Sequence, residues 1–312
     1  MSKAASAVIL IPLDIKANMI AAGTSVPVVD SERGEVAWDG ATAYTAGAAN
    51  VNYSGSLYTA ITDSTNVRPN ADTTKWRRQG PSNRMAPFDD QINTKARANG
   101  SLTYVLKPGF FTGLSVYGLS GETITVTLYD APGGNVVESY TGDLWDQPLG
   151  LFEYLYMPLR ALTKWQRQDL PLYPDPELHI TVSASNNVEV TIGHIVVGHW
   201  QTLLGNGDFG GVEYGANAEI KTYSYIKTND DGSTTIVPRH TATNISCSVV
   251  IEAEQANLAH ALLSQVASKP VAFIASGLPR YDYLNTFGLV SATVSPQSWR
   301  TATLNLKVQG FI

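Results

Sequence analysis

Gly205, Gly207 and Gly210 in LLGNGDFGG have the G-x-G-x-x-G spacing. Such glycines cradle a pyrophosphate when they join a parallel strand to a helix N-terminus. The adjoining residues, GVEYGANAEIKTY, have no apolar helical period, so the match reads as a glycine-rich loop. His194 and His199 stand close together in GHIVVGHW. At that odd spacing on a strand they point to opposite faces and cannot share one metal without a bulge. The pairs Asp89/Asp90, Asp143/Asp146 and Glu252/Glu254 have the spacing of carboxylate dyads, and Asp143 and Asp146 flank Trp145. Paired carboxylates are the machinery of sugar cleavage, which keeps a polysaccharide hydrolase as one reading. Loop carboxylates are ordinarily solvated, however, and no opposing acid is implied. The chain has neither G-x-S-x-G nor a Cys/His pattern for nucleophilic catalysis. Cys247 alternates within NISCSVV and reads as a small buried hydrophobe. These spacings predict a protein that is not an enzyme and takes neither metal nor cofactor.

Aromatic side chains offer a second kind of chemistry. Trp38, Tyr44, Tyr53, Tyr58 and Trp76 crowd into one short stretch. A unit that small must build its core from some of these rings, while exposed rings would stack on the apolar faces of sugars. Tyr44, Tyr58 and Trp76 are expected in the core. Trp38 and Tyr53 are the candidates for glycan contact.

The elements that position these groups are mostly strands. The chain has 312 residues, enough for two or three domains. Charged residues make up 15%, below the roughly 25% of an average protein. The formal net charge is −6 and no basic run exceeds WRR at 76–78, which argues against nucleic-acid binding. One cysteine rules out an intrachain disulfide. The opening AASAVILIPLDI is too short for a membrane span or signal-peptide core and reads as a strand. Synthesis in a cytoplasm without export, and no membrane insertion, are therefore expected.

The pattern divides into an N-terminal strand or arm over 1–36, a compact unit over 37–80, a β-sandwich over 81–197 and a β-rich domain over 198–312. The arm is expected to belong with the last domain. In the compact unit NVNYSGSLYTA reads as two strands around a Ser54-Gly55 turn. SLTYVLKPG, TITVTLYD and HITVSASN carry the period of strands. IKTYSYIKTNDDGSTTIVPR reads as one hairpin turning at Asp231-Gly232. EQANLAHALLSQVAS, about 252–268, is the one convincing helix, with Leu258, Leu262, Leu263 and Val266 on one face and Pro270 as its stop. The predicted fold class is mainly β: a small three-stranded module, a sandwich, and a β-rich domain with one helix.

Trp38, Tyr44-x-x-Gly47, Val51-x-Tyr53-x-Gly55-x-x-Tyr58-x-Ala60, Pro69 and Trp76 together resemble the chitin-binding modules of the type 5/12 carbohydrate-binding family. Where those modules carry Trp after Tyr-x-Ala, this chain has Ile61, Thr62 and Asp63. The next stretch, GPSNRMAPFDD, is similar to a segment that succeeds such a module in tail and baseplate proteins of tailed bacteriophages, with Met85 and Pro87 where Trp and Met are common. Tyr223-Ser224, Asp230-Asp231-Gly232 and Arg239 continue the resemblance, and the closing residues are similar to ring-forming distal tail proteins. The resemblance implies a structural virion protein in the baseplate or tail tip. It implies a homo-oligomeric ring, other tail proteins as neighbours and contact with bacterial surface polysaccharide. A glycan-binding adhesin is the alternative reading. Asn83, Arg84, Met85, Phe88 and Asp89 would join module to sandwich, Arg84 and Asp89 by polar contacts, Met85 and Phe88 by burial.

Overall fold

The structure, a computed structural model, describes residues 7–89, 94–146, 150–157, 160–203, 211–228, 232–239 and 241–311. The fold is mainly β and falls into two compact units: residues through Pro12 with those from Gly198 onward, and Leu13–Val197. The sequence pattern groups residues 1–36 as one arm. In the structure the described residues through Pro12 belong with the C-terminal region, and those from Leu13 onward belong to the other unit.

In the Leu13–Val197 unit a four-stranded antiparallel sheet runs Val136–Asp143, Thr123–Tyr129, Glu177–Ser183, Ser101–Leu106. Thr123–Tyr129 and Glu177–Ser183 bury every second residue, as their apolar alternation requires. Ile124, Val126, Leu128, Leu178, Ile180 and Val182 enter a core shared with Leu102, Tyr104 and Leu106. Leu114 and Val116 of Gly113–Tyr117, with Ile192, Ile195 and Val197, line the same core from a second layer. The pair Ala96–Asn99 and Glu189–Ile192 forms a short antiparallel ribbon.

The module sits inside this unit. Val51–Tyr53, Ser56–Ala60 and Trp76–Pro81 form its antiparallel sheet, and the two residues Val36–Ala37 add a parallel edge, making four strands where three were expected. Ser54 and Gly55 both have positive φ, 52° and 81°, so the hairpin turn twists with its strands. Tyr44, Val51, Tyr58, Ala60 and Trp76 are its buried core. Tyr44 and Trp76 meet edge to face at 5.2 Å, and the Trp76 indole N–H donates to Val67 O at 3.1 Å.

In the other unit Val8–Pro12 lies between the residues 198–202 and Val271–Ile274, antiparallel to both. Asn285–Pro296, Thr301–Gly310 and Thr241–Glu252 continue the sheet, and Thr241–Glu252 also pairs with Gly211–Val212 and Asn217–Thr222. The helix is Ala256–Val266, after a 3-10 turn at Ala253–Gln255. It buries Ala259, Leu263 and Val266, while Leu258, placed on the core face by sequence, is 57% exposed. Its position is therefore one the periodicity misassigns. A six-residue helix, Leu151–Tyr156, has no counterpart among the expected elements; it interrupts a strand-rich stretch. No helix among the described residues is long and apolar enough to cross a membrane.

Candidate functional site

The two rings expected to meet sugar come together. Trp38 and Tyr53 stand at 85° with centroids 5.2 Å apart, and both pack against the module core. Each is half-buried, and Trp38 Nε1 is shielded from solvent without an acceptor among the described residues. An edge-to-face pair covers part of one ring with the rim of the other, so the two do not form one flat platform. Asp63 accepts a hydrogen bond from Ala46 N at 2.8 Å.

The junction residues converge next to this module. Met85 and Phe88 pack against the large core, and Phe88 meets Tyr104 edge to face at 5.5 Å. Met85 also seals the module turn: a Cβ on Gly55 would lie 2.7 Å from Met85 Cγ. The Arg84 guanidinium donates to the carbonyl of Val26 and, at 3.4 Å, to that of Ile20. Arg84 O accepts from the Tyr104 hydroxyl at 3.0 Å, and burial pushes that hydroxyl well above its ordinary pKa, so it remains a donor. Asp89 accepts from Thr94 Oγ1 at 2.8 Å.

Asn83 reaches furthest. Its backbone N–H donates to Glu35 Oε1 at 2.7 Å, and its amide donates to Asp30 Oδ2 at 2.7 Å and Arg97 O at 2.9 Å. Its Oδ1 accepts from Arg97 N at 2.9 Å. Glu35, 5% exposed, accepts at Oε2 from Asp30 N at 3.0 Å and from Asn52 Nδ2 at 2.7 Å. Asp30, Glu35, Asn52 and Asn83 thus tie the 26–35 strap and the module to the backbone of Arg97 in one largely buried polar knot. Buried polar groups survive when every one is hydrogen-bonded, and here amide donors surround the carboxylates. Sequence reasoning names Asn83 but misses Asp30, Glu35 and Asn52. The only signal is a pair of acids flanking SERG, indistinguishable in sequence from a solvated turn.

Beside the knot an open groove of about 910 Å³ runs between the strap and the Ala96–Asn99/Glu189–Ile192 ribbon. Two ion pairs cross its lining: Glu189 takes Arg33 Nη2 at 3.0 Å and Arg97 Nη1 at 3.5 Å. Arg33 N donates to Asp30 Oδ1 at 3.3 Å.

The remaining candidates do not assemble a site. Asp143, Asp146 and Glu254 are exposed and Glu252 is half-exposed. His194 is buried and His199 partly exposed, on one strand but in different units. Gly205, Gly207, Gly210 and Asp90 lie outside the described residues. No cluster of three His, Cys, Asp or Glu fit to hold a metal occurs among the described residues. Cys247 is buried in Thr241–Glu252.

A different kind of surface occurs in the C-terminal region. Asn217–Thr222 hydrogen-bonds to Thr241–Glu252 on one side only, among the described residues. The chain continues into a hairpin, Tyr225–Thr228 with Thr234–Val237, paired with no other described strand. The sequence pattern merges 220–223 into that hairpin; the register assigns Ile220–Thr222 to the sheet instead. Every described strand residue of the hairpin is exposed, and Ile220, Tyr225, Ile226, Ile236 and Val237 are among the apolar side chains displayed.

Comparison with protein families, with curated proteins and with solved structures finds no match. The site therefore has to be judged on its own chemistry.

Proposed function

We propose that this chain is a structural virion protein of a tailed bacteriophage, a component of the baseplate or tail tip that locks to copies of itself in a ring and to neighbouring tail proteins. One observation carries the reading: Asn217–Thr222, paired on one side only among the described residues, leads into an exposed hairpin that displays Tyr225, Ile226, Ile236 and Val237 and pairs with no other described strand. A lone two-stranded hairpin is marginal in water, and a free edge is a template for pairing with another strand. Both gain stability when a second molecule covers them. The order of module, junction and closing strands in the sequence supplies the phage context.

Size-exclusion chromatography with light scattering, followed by negative-stain imaging of the full chain, tests the proposal. Rings or higher oligomers are expected. A monomer that persists at high concentration overturns self-assembly. In this reading the module is a peripheral attachment, and Trp38→Ala and Tyr53→Ala leave the oligomer intact.

A further inference from the structure

The residues that line the groove beside the polar knot fall into two sets. Asp30, Arg33, Asn83, Arg97 and Glu189 bond to one another. Around them Ser31, Glu32, Asn99, Ser101 and Asn187 line the same groove with exposed side chains that bond to no other described residue. The loops that carry Asn99 and Asn187 are tied to each other. Gly100 N donates to Val188 O at 2.9 Å and Ala184 N to Gly100 O at 2.8 Å, zipping the two loops together. Gly100 has φ +75°, and a Cβ there would stand 3.2 Å from Asn187 Oδ1, so glycine leaves room for that amide. Asn186 and Asn187 both adopt the left-handed region, at φ 56° and 55°. Glu122 anchors this turn by accepting from Ser185 N at 3.0 Å and Ser185 Oγ at 2.6 Å.

We propose that this groove binds a neutral glycan segment. Three carboxylates against two guanidiniums leave the lining nearly balanced, which disfavours both phosphate and strongly cationic ligands. No aromatic ring is among the lining residues, so holding by stacking is excluded and hydrogen bonding must carry recognition. Each side-chain amide presents a donor beside an acceptor, the arrangement that pairs with adjacent sugar hydroxyls. The volume is in the range of small-ligand sites. A peptide would need several apolar side-chain pockets, and the apolar lining here is confined to Val26, Pro27, Val29 and Ala98. The site is separate from Trp38 and Tyr53, and it does not depend on ring formation.

The test uses the full chain in isothermal titration against chitohexaose, maltoheptaose and mannohexaose, with a hyaluronan hexamer as the acidic control. Asn99→Ala combined with Asn187→Gly removes both free amides while keeping the left-handed turn permissive. Saturable binding of at least one neutral oligosaccharide is expected. It should weaken about ten-fold or more in that double variant, as loss of two hydrogen-bonding side chains implies, and hold in Trp38→Ala/Tyr53→Ala. Ser101→Ala provides a milder check if the double variant unfolds, with a smaller loss expected. Binding of none of the neutral probes, binding of hyaluronan alone, or binding lost only with Trp38 and Tyr53 each overturns the proposal. An oligomer-free chain that still binds would refute the ring and leave the groove standing.

Discussion

At the scale of single residues, the decisive groups are the ones that lost their water. Glu35 is buried with three N–H donors on its two oxygens and no cationic partner among the described residues. Glu35→Ala leaves Asp30 N, Asn52 Nδ2 and Asn83 N unsatisfied, and urea denaturation should register a loss of about 3 kcal/mol. Burial pushes the Cys247 thiol to about 11. A neutral thiol is a poor nucleophile, so labelling by a thiol reagent at pH 8 should be slow in the native chain and fast once urea unfolds it. Because the native value is raised, its share of stability is whole below the ordinary 9.0 and is lost as pH climbs through about 11. Glu122 runs the other way. Hydrogen bonds from Ser185 hold its carboxyl below the ordinary 4.5. Its anchoring of the 185–187 turn is present above that value and lost as pH falls through the lowered one. An NMR titration of the Ser185 amide should therefore show its midpoint on the acid side of 4.5.

At the scale of elements, the Ser54-Gly55 turn belongs to the module but is packed from outside by the junction. Gly55 combines φ +81° with Met85 Cγ pressed close to where a Cβ would stand. Gly55→Ala should destabilise the chain by about 1–3 kcal/mol in thermal or urea unfolding. Adding Met85→Ala relieves the overlap but not the backbone strain, so the double variant should recover only part of what a sum of single losses predicts. Full additivity would mean that module and junction are not in contact as described. The helix Ala256–Val266 teaches a related lesson. Its apolar stripe marks it as a helix, but the sheet beneath selects Ala259, Leu263 and Val266 and leaves Leu258 to solvent. Periodicity indicates that a face exists; the neighbour it packs on sets where that face is centred.

At the scale of the whole molecule, the proposed assembly should be sensitive to charge at the hairpin and insensitive to charge in the module. Ile226→Asp with Ile236→Asp places carboxylates on a surface that the proposal buries, where an unpaired charge is heavily penalised. Sizing should then show the monomer, with any far-ultraviolet change confined to the hairpin, where the two residues face each other, because neither side chain contributes to a core of its own chain. Oligomers of unaltered size in that variant would sink the hairpin as the contact. Assembly by apolar burial should also survive high salt, whereas one built on exposed ion pairs would weaken.

Much of this protein is legible in one dimension, for a physical reason. Strand alternation, turn residues and the aromatic spacing are local constraints, so Thr123–Tyr129, Glu177–Ser183, the Ser54-Gly55 turn and the Tyr44/Tyr58/Trp76 core follow from the order of residues alone. The junction is legible too, because Asn, Arg, Met and Phe crowded at 83–88 fit neither a helix nor a strand interior. What only the tertiary structure decided was which polar residues give up water and which partners come together. Asp30 and Glu35 look in sequence like any solvated turn, and Asn99 and Asn187 are far apart along the chain. Burial and convergence are properties of distant segments packed together, and no local pattern encodes them.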